Sequence, residues 1–422
     1  MKTIIMAGGK GTRIATIADN IPKPMIPICG KPILEHQIDC LKKNGLTDII
    51  IVVGHLGHII KEYFNNGSIF GCNISYYTET EPLGTGGALF KIEGLSNSFI
   101  LINGDIIFDI DFHRMILFHE KFDAEVTLAV HPNSHPFDSS LIKTDNYNRV
   151  IGWINKEDNR QYYRNLVNSG IHIISLDFIK NFSPKNENVN LDNDLFKPLI
   201  KKNRIFAYHT PEYIKDMGTP ERHGQVTSDI LNKTVRKKNL ANKQKCVFLD
   251  RDGTINAFNG FIKNPEELFL LDGAAEAIKK INNLGYLAIV ITNQPVIARG
   301  EVDMETLNTI HMKLETELGK YGAYIDDLFF CPHHPDKGFP GELPQYKIDC
   351  ECRKPKPGLI FKAAEKYNID LSQSYMVGDD FRDINAGIAA GCIPVFLSEE
   401  KSINDKRVVT YKNLLHFSNN LS

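Results

Sequence analysis

The chain has 422 residues, a formal net charge of -2 at pH 7 and a hydrophobic fraction of 42%. A chain of this length can bury two hydrophobic cores, so we expect two domains. Its near-neutral charge excludes the strong positive field that attracts nucleic acids or anionic membranes, and we expect neither as a partner. No apolar run reaches the roughly 18 residues that span a bilayer, and the short apolar start does not resemble a signal peptide. We therefore expect a cytoplasmic protein.

The first half of the chain alternates apolar runs with amphipathic segments. The patterns predict strands over 2–7, 48–53, 74–77 and 99–102, and helices over 33–45 and 59–64. An alternation of strand and helix predicts a mostly parallel sheet.

A glycine-rich turn follows the first predicted strand and reads Gly-Gly-Lys-Gly-Thr-Arg from Gly8 to Arg13. Backbone N–H groups in such a turn can approach an anion closely, and the side chains of Lys10 and Arg13 add positive charge. The same spacing also occurs in ordinary connections between a strand and a helix, so the turn by itself leaves both interpretations open.

Six further blocks follow in a fixed order. They are Pro-Lys-Pro-Met at 22–25, Gly-Lys-Pro at 30–32, Glu-Pro-Leu-Gly-Thr-Gly-Gly-Ala at 81–88, Asn-Gly-Asp at 103–105, Asn-Ser-Gly at 168–170 and Asp-Met-Gly-Thr-Pro at 216–220. The series resembles the sugar-1-phosphate nucleotidyltransferases over nearly all of residues 1–222. The resemblance implies a Rossmann-like, GT-A-like mixed sheet, and an attack of a sugar 1-phosphate on the α-phosphorus of a nucleoside triphosphate that releases pyrophosphate.

The resemblance also implies a role for each block. Arg13 and Lys23 would offset the charge of the crowded phosphates, and Asp105 and Asp216 would carry Mg²⁺. The nucleotide would be bound by Gly8, Gly9, Gly11, Thr12, Glu81, Gly84, Thr85 and Gly86. The sugar and its phosphate would be bound by Lys156, Asn168 and Gly170. This chain has Asn-Lys-Glu where the family usually has Glu-Lys-Pro, which weakens the placement of Lys156.

The choice of base is the least defined property of this half. Guanine offers N1–H and N2–H₂ donors, so a carboxylate from Glu79 or Glu81 suits it better than thymine or uracil. Backbone acceptors, with both glutamates in solvent, would serve equally well. The set of blocks most resembles the mannose- and heptose-1-phosphate guanylyltransferase branch, which implies GTP as the nucleotide.

A basic run between residues 226 and 245 separates the two halves. Such runs are usually solvated connectors. We therefore predict a transferase domain over 1–225, a linker over 226–244 and a second domain over 245–422.

The second half contains an apolar strand that ends in Asp-Arg-Asp-Gly-Thr at Asp250 to Thr254. A helix over 272–285, a strand over 286–291 ending in Thr-Asn-Gln, an Arg-Lys-Pro block at 353–355 and an apolar run ending in Gly-Asp-Asp at 378–380 follow. Polar residues at the carboxyl ends of parallel strands converge on one edge of a sheet. Asp-x-Asp-Gly-Thr resembles the first motif of the haloacid dehalogenase phosphatase superfamily, and the short spacers imply a capless Rossmannoid domain.

The superfamily resemblance implies that Asp250 is the nucleophile and Asp252 the general acid and base. Thr292 and Lys354 would stabilise the phosphoryl group. Mg²⁺ would be bound by Asp250, Asp379 and the backbone carbonyl of Asp252. We expect Asp383 to cap the following helix rather than to bind the metal. Further substrate contacts are expected from Asn293, Arg299 and Arg353.

A Cys-x-His pair and a Cys-x-Cys pair flank a loop rich in proline and glycine. Three thiolates and one imidazole form a tetrahedral Zn²⁺ set, which leaves no open position for chemistry and is therefore structural. The ligands would be Cys331, His333, Cys350 and Cys352, with His334 outside the set. The metal would brace the loop that carries Arg353 and Lys354. The alternative is a loop with three cysteines and no metal.

Residues 246–395 resemble the group of heptose bisphosphate and histidinol-phosphate phosphatases, with a departure at Pro295-Val296, where small residues are expected. Together the halves imply a bifunctional enzyme that removes the C7 phosphate of D-glycero-D-manno-heptose 1,7-bisphosphate and then transfers GMP to heptose 1-phosphate. By analogy with the guanylyltransferases that the first half resembles, guanine use implies the α-anomer. The alternatives are a mannose-type or other sugar nucleotidyltransferase fused to a histidinol-phosphate-type phosphatase, or a non-catalytic sugar-nucleotide sensor. The sequence leaves a homo-oligomer open.

Overall fold

The computed structural model describes residues 1–9, 20–95, 97–258, 260–338, 340–400 and 403–421. The chain forms two compact units. Unit 1 consists of Met1–His131, Ile142–Asn155 and Val167–Asn239, and unit 2 of Pro132–Leu141, Lys156–Leu166 and Leu240–Ser422. The chain therefore enters unit 2 twice before the long final segment.

Strands and helices alternate only in part before residue 217, because the strands between residues 126 and 175 follow one another without an α-helix between them. The strands before residue 217 are β1 Lys2–Met6, β2 Pro27–Ile28, β3 Lys31–Pro32, β4 Asp48–Val53, β5 Asn73–Thr78, β6 Ser98–Asn103, β7 Ile106–Asp109, β8 Val126–His131, β9 Leu141–Thr144, β10 Val150–Ile154, β11 Val167–Ser175, β12 Ile205–His209 and β13 Tyr213–Asp216. The helices up to residue 237 are α1 Ile33–Lys43, α2 Gly57–Phe64, α3 Phe112–Lys121, α4 Leu176–Lys180, α5 Lys197–Ile200, α6 Pro220–Leu231 and α7 Thr234–Lys237.

A mixed sheet forms the centre of unit 1. Its main path runs β10-β9-β11-β6-β1-β4-β5, with β8 pairing with both β11 and β12. β1 is parallel to β4 and β6, whereas β11 is antiparallel to β6 and β8. The parallel part matches the expected βα alternation, and the antiparallel β11 makes the sheet mixed, which confirms the fold class implied by the resemblance.

The core of unit 1 lies where α1 packs on this sheet. Ile5, Ile51 and Ile100 on β1, β4 and β6 and Leu34 and Ile38 on α1 are all fully buried in one cluster. The spacing of four places Leu34 and Ile38 on one face of α1, and this face packs in the same cluster as the three strand residues. The burial of this apolar stripe fixes the ends of β1 and β6, where the proposed nucleotide and metal residues lie.

The stretch predicted as a linker, 226–244, contains the end of α6 and all of α7. Asn239 is buried at the end of unit 1 and donates to Asp109 Oδ1 over 2.7 Å. The stretch is therefore partly helical, and its residues up to Asn239 belong to unit 1, where Asn239 contacts β7.

Unit 2 is built on a parallel sheet. Its strands are β14 Cys246–Leu249, β15 Leu287–Asn293, β16 Asp327–Cys331, β17 Tyr375–Gly378, β18 Ile393–Leu397 and β19 Val409–Tyr411. Its helices are α8 Ala274–Asn283, α9 Met304–Gly319, α10 Gly358–Tyr367, α11 Phe381–Ala390 and α12 Leu414–Asn419. The order is β16-β15-β14-β17-β18-β19, and all pairs are parallel.

The fold of unit 2 brings the predicted strand-end motifs together. β14 lies between β15 and β17, so the residues that follow these three strands share one edge of the sheet.

None of the helices in the described part of the chain is both long and apolar enough to cross a membrane.

Candidate active sites

Three aspartates converge at the carboxyl edge of the unit 2 sheet. Asp250 follows β14, Asp379 follows β17, and Asp383 lies in the first turn of α11. One carboxylate oxygen from each lies within 4.8 Å of the others. Gly253 makes this approach possible, since its φ is +83° and a Cβ there would collide with the Asp379 carboxylate. Clustered carboxylate oxygens of this kind fit a hard divalent cation such as Mg²⁺.

The buried ammonium of Lys354 neutralises two of these carboxylates. Its Nζ lies 2.7 Å from Asp250 Oδ1 and 2.6 Å from Asp383 Oδ1, and it donates to the carbonyl oxygen of Ile291 over 2.7 Å. Burial alone would lower the pKa of Lys354, but Asp250 and Asp383 outweigh burial and the pKa is raised. Lys354 is therefore charged and fixed at the site where the sequence predicted it.

Asp383 has two roles, of which only one was predicted. It accepts from the Asp380 N–H over 3.1 Å as part of a capping box at the start of α11, as expected. It is also one of the three clustered aspartates and pairs with Lys354, which the sequence analysis missed. Its position four residues after Asp379, in the first turn of a helix beneath the strand end, is the signal that could have found it.

Crowding of the three aspartates changes their proton affinity. Burial, then the charge of Asp383, raises the pKa of Asp250 in spite of Lys354. Burial, then the charge of Asp250, raises the pKa of Asp379 to about 6. The cluster thus carries more negative charge than one ammonium balances, which is the electrostatic condition of a cation site.

The carboxylate of Asp252 lies apart from this cluster and is held by three donors. It accepts from Arg251 Nη2 over 2.9 Å, Gln294 Nε2 over 2.8 Å and Asn256 Nδ2 over 3.0 Å. Gln294 Nε2 also lies 2.8 Å from Thr292 Oγ1. Arg251, Asn256 and Gln294 were not predicted as functional residues, yet they fix the orientation of the proposed acid and base.

Two of the three predicted substrate residues of unit 2, Asn293 and Arg353, make contacts within or to the loop that carries Lys354. The side chain of Asn293 donates to the Lys354 carbonyl and accepts from the Lys354 N–H, each over 3.0 Å. Arg353 Nη1 donates to the His333 carbonyl over 3.1 Å. The guanidinium of Arg299 lies over the Phe261 ring, 4.6 Å from its centre. Asn293 and Arg353 therefore act at least as supports of the loop.

Cys331, His333, Cys350 and Cys352 form the cluster that the sequence predicted as a metal centre. The three sulfur atoms are 3.2 to 3.5 Å apart, and His333 Nδ1 lies 3.2 Å from Cys352 Sγ and 3.7 Å from Cys331 Sγ. A tetrahedron with Zn–S bonds of about 2.3 Å has edges of about 3.8 Å, so the four groups fit one metal ion with little adjustment. The sulfur separations exceed the roughly 2 Å of a disulfide bond.

In unit 1, both aspartates proposed to carry Mg²⁺ are engaged by cations. Lys23 Nζ lies 2.5 Å from Asp105 Oδ2, and Arg222 Nη1 lies 2.6 Å and 2.7 Å from the two oxygens of Asp216. β7 and β13 pair so that Asp216 is opposite Ile106, which brings Asp216 next to Asp105. Arg222, on α6, was not predicted as a site residue.

The loop of the proposed nucleotide site is tied to residues 187–191. Gly86 N donates to Val189 O over 2.9 Å, and Thr85 Oγ1 accepts from Leu191 N over 2.8 Å. Gly84 has a φ of +76°, and a Cβ there would lie 2.5 Å from Val189 O, so the loop requires glycine at this point. Of the preceding turn, Gly8 and Gly9 are described, whereas the predicted residues Lys10, Gly11, Thr12 and Arg13 lie outside the described residues.

The two glutamates considered for base recognition differ in their surroundings. Glu81 is exposed. Glu79 packs against Gly8, where a Cβ would lie 2.5 Å from Glu79 Oε2, and its Oε1 is buried with no hydrogen-bond partner among the described residues. Burial raises the pKa of Glu79. Only Glu79 thus has a desolvated, unused acceptor next to the glycine turn.

The residues proposed for the sugar are only partly grouped. Asn168 Oδ1 accepts from Gly170 N over 3.4 Å and lies 3.1 Å from His172 Nε2. His172 is buried, which lowers its pKa to about 3, so a neutral imidazole orients Asn168. Lys156 belongs to unit 2, whereas Asn168 and Gly170 belong to unit 1. The Lys156 side chain is 60% exposed, and its Nζ lies 3.7 Å from Glu157.

The fold and these sites define a chain with two enzyme units, each with carboxylates at the edge of an α/β sheet. Comparison with family models supports this class. Residues 2–233 match the nucleotidyl transferase model, and residues 197–391 match the model of haloacid dehalogenase-like hydrolases.

Curated relatives define the second half more closely. The D-glycero-beta-D-manno-heptose-1,7-bisphosphate 7-phosphatase of Rhodopseudomonas palustris is 39% identical over 164 residues, 39% of this chain and 88% of that protein. The Escherichia coli K12 protein of the same name is 34% identical over 151 residues, 36% of this chain and 77% of that protein. The chain belongs to the nucleotidyl transferase family and, through its second half, to the family of the D-glycero-beta-D-manno-heptose-1,7-bisphosphate 7-phosphatases.

Solved structures resemble each half. HddC from Yersinia pseudotuberculosis, complexed with GMP-PN, is 26% identical with a TM-score of 0.47 and covers 54% of this chain and 99% of its own. The D,D-heptose 1.7-bisphosphate phosphatase from B. bronchiseptica, complexed with magnesium and phosphate, is 32% identical with a TM-score of 0.37 and covers 42% of this chain and 97% of its own. The family matches confirm the expectation of a bifunctional enzyme with a nucleotidyltransferase and a phosphatase part.

Proposed function

We propose that this enzyme removes the C7 phosphate of D-glycero-D-manno-heptose 1,7-bisphosphate and then transfers GMP from GTP to the resulting heptose 1-phosphate, which releases pyrophosphate. The observation that carries the phosphatase step is the cluster of Asp250, Asp379, Asp383 and Lys354. The chain is also 39% identical to a heptose bisphosphate phosphatase over 164 residues. The transferase step is supported by the nucleotidyl transferase match over residues 2–233. The product of the first reaction is a sugar 1-phosphate, the class of substrate that the second reaction consumes.

In the phosphatase reaction, Asp250 Oδ2 is the nucleophile. Asp250 Oδ1 accepts from Arg251 N and contacts Lys354 Nζ, each over 2.7 Å, which fixes the carboxylate and leaves Oδ2 for attack on phosphorus. As the bond between phosphorus and the C7 oxygen breaks, Asp252 donates its proton to that oxygen. Water then attacks the phospho-aspartate while Asp252 takes a proton from it, and phosphate leaves Asp250.

The surrounding residues stabilise charge in this reaction. Lys354 offsets the negative charge that develops on the phosphoryl oxygens, and the Thr292 hydroxyl, which accepts from Gln294, keeps its own proton for donation to one of them. Mg²⁺ would be held by Asp250, Asp379 and the Asp252 carbonyl, and would supply further neutralisation of the phosphate. Asp383 lies in the same cluster and would contribute a further oxygen to this proposed set.

In the transferase reaction, an oxygen of the sugar 1-phosphate attacks the α-phosphorus of GTP, and the bond to the β-phosphate breaks so that pyrophosphate leaves. Asp105 and Asp216 would hold Mg²⁺, which would neutralise the triphosphate. Lys23 and Arg222 now occupy these carboxylates, and both are then available to bind phosphate oxygens. Glu79 would accept from guanine N1–H or N2–H₂ through its unpartnered Oε1.

The remaining partners and cofactors follow from these reactions. We propose Zn²⁺ as the metal of the Cys331, His333, Cys350 and Cys352 cluster, where four protein ligands leave no position for substrate. Its position beside Arg353 and Lys354 in sequence suits a structural brace of the catalytic loop. We also propose a cytoplasmic location, where GTP is supplied and where thiols remain reduced.

The direct test incubates the purified chain with Mg²⁺, each anomer of heptose 1,7-bisphosphate and each nucleoside triphosphate, and identifies products by mass spectrometry. The guanylyltransferase resemblance implies the α-anomer, whereas the curated phosphatase relatives act by their names on the β-anomer, so both must be supplied. We expect phosphate, pyrophosphate and GDP-heptose from GTP alone. Phosphate release without any nucleotide sugar would refute the transferase assignment, and no phosphate release would refute the heptose bisphosphate assignment.

A further inference from the structure

Lys197 is, after Lys23, a second lysine of unit 1 whose position suits the binding of a sugar phosphate. Lys197 begins α5, directly after a helical turn over Leu191–Phe196. Its Nζ lies 2.9 Å from Asn155 Oδ1 and 2.6 Å from Asn193 Oδ1, and 5.8 Å from the centre of the Trp153 ring. The ammonium is thus fixed by two neutral amides and one aromatic face.

Among the described residues, Lys197 forms no ion pair, in contrast to Lys23 and Arg222 of the proposed transferase site. Lys23 is paired with Asp105 and Arg222 with Asp216. Lys197 interacts electrostatically with the carboxyl group of Asp192. Burial raises the pKa of Asp192, and the positive charge of Lys197 opposes that rise. A charged amine held by neutral acceptors keeps an attraction for an anion that is not part of the protein.

The position of Lys197 connects it to both substrate loops of unit 1. Leu191, at the start of the preceding turn, donates to Thr85 in the proposed nucleotide loop over 2.8 Å. The ring of Phe196 contacts His172 at 5.0 Å between centres, and His172 orients Asn168 in the proposed sugar turn. One short element therefore spans the nucleotide loop and the sugar turn, and Lys197 lies at its end.

The neighbouring polar groups match a phosphorylated sugar. Trp153 Nε1 is buried and has no hydrogen-bond partner among the described residues, so a donor is left unused within the same group of side chains. The amides of Asn155 and Asn193 add both donors and acceptors, and sugar hydroxyls form hydrogen bonds with both kinds of group. Lys156, in comparison, has an exposed side chain near Glu157.

We propose that Lys197 binds the phosphate group of the sugar 1-phosphate in the transferase reaction, with Trp153, Asn155 and Asn193 as the surrounding polar wall. This inference rests on the proposed transferase function and adds a substrate-binding residue to it. The ligand is a phosphate monoester dianion on a polyhydroxylated ring, and its charge would complete the third position around Nζ.

The test compares Lys197→Met, which keeps the length of the side chain without its charge, with Lys201→Met, an exposed lysine at the end of the same helix. Charge-assisted hydrogen bonds of 1.5–3 kcal/mol correspond to about ten- to hundredfold in affinity. We expect Lys197→Met to raise the KM for heptose 1-phosphate by about that factor and to leave the KM for GTP and the phosphatase rate within about twofold. Lys197→Arg should restore part of the affinity, and Lys201→Met should match the wild type.

A second variant separates binding from folding. Asn193→Asp keeps Lys197 but gives it a carboxylate partner at the position of the present amide, and we expect it to raise the same KM while the melting temperature stays within a few degrees of the wild type. If both variants keep the wild-type KM for the sugar 1-phosphate, the inference is wrong. A wild-type chain that makes no nucleotide sugar from any sugar 1-phosphate would instead refute the proposed transferase function.

Discussion

Replacement of Lys354 by methionine would test the electrostatic design of the phosphatase unit. The substitution keeps an unbranched side chain of similar length but removes the ammonium that contacts Asp250, Asp383 and the Ile291 carbonyl. Two buried carboxylates then face each other without a counter-charge. We expect phosphate release to be abolished, because the charge that stabilises the transferred phosphoryl group is lost.

The cost in stability can be worked from the same contacts. Removal of one partner from a buried ion pair typically costs about 3–5 kcal/mol, since it leaves an uncompensated buried charge. For a unit of this size that corresponds to a melting temperature lower by about 6–20 °C. Protonation of Asp250 or Asp383 would limit this loss of stability, because it removes one of the unpaired charges. The pKa values of Asp250 and Asp383 are already raised above their usual range, and without Lys354 they rise further.

The sign of the pH dependence follows from these raised values. A carboxyl with a folded-state pKa above its unfolded value near 3.9 binds more protons in the folded state, so its cost to stability grows as pH rises above that value. The loss in Lys354→Met should therefore be largest at neutral pH and should shrink towards pH 4. Addition of Asp383→Asn to Lys354→Met removes one of the unpaired charges and should recover part of the loss.

The assay is thermal and urea unfolding at several pH values without added Mg²⁺, with phosphate release and nucleotidyl transfer measured in parallel. Lys356→Met is the matched control, because Lys356 lies two residues away and pairs with Asp349 and Glu351 at the surface. We expect it to retain both activities and the stability of the wild type, because exposed ion pairs contribute little. A Lys354→Met protein with wild-type stability and phosphatase rate would refute the reasoning.

Three further outcomes are expected. Cys352→Ser should lower the zinc content measured by atomic absorption to well below one ion per chain and reduce phosphatase activity by at least about tenfold, because one of four ligands is lost; unchanged zinc content would contradict the proposed centre. Glu79→Gln should reduce the preference for GTP over UTP by about tenfold in competition assays, whereas Glu81→Gln should not, since only Glu79 has a buried and unpartnered oxygen; equal base preference in both variants would exclude Glu79. Burial lowers the pKa of His119 to about 4, although the charge of Asp123 opposes this shift. As pH falls below about 6.5, His119 therefore takes up a proton in the unfolded state before it does so in the folded state. The free energy of unfolding should drop by about 1.4 kcal/mol per pH unit, or about 3 kcal/mol in total. His119→Gln should flatten this fall in urea titrations between pH 6.5 and 4.5, and an unchanged slope would contradict the assignment.

The parts of the phosphatase site that sequence reasoning found follow directly from local pattern. Asp250, Thr292 and Asp379 each come at the end of an apolar run, and parallel strands bring such ends to one edge. The cluster of Cys331, His333, Cys350 and Cys352 was predicted for a similar reason, because these residues form two closely spaced pairs in the chain. In such cases the chemistry is encoded by neighbours in sequence.

Contacts between residues that are far apart in the sequence could not be predicted from local pattern. The pairing of Arg222 with Asp216 and that of Lys354 with Asp383 depend on how helices pack against strand ends. The membership of residues 132–141 and 156–166 in unit 2 likewise depends on tertiary contacts that no periodicity reports. The basic run predicted as a linker contains α7 and the buried Asn239, which lie in unit 1.

The most direct test of the two-step function uses two variants, each with one proposed activity removed. Asp250→Asn lacks the nucleophile of the phosphatase, and Asp105→Asn lacks a carboxylate of the transferase. Each is incubated with heptose 1,7-bisphosphate, GTP and Mg²⁺, alone and mixed, and the products are identified by mass. We expect GDP-heptose from the wild type and from the mixture but from neither variant alone, with Asp105→Asn stopping at heptose 1-phosphate. Formation of GDP-heptose by either variant alone, or its absence from the wild type, would contradict the proposal that one chain performs both steps.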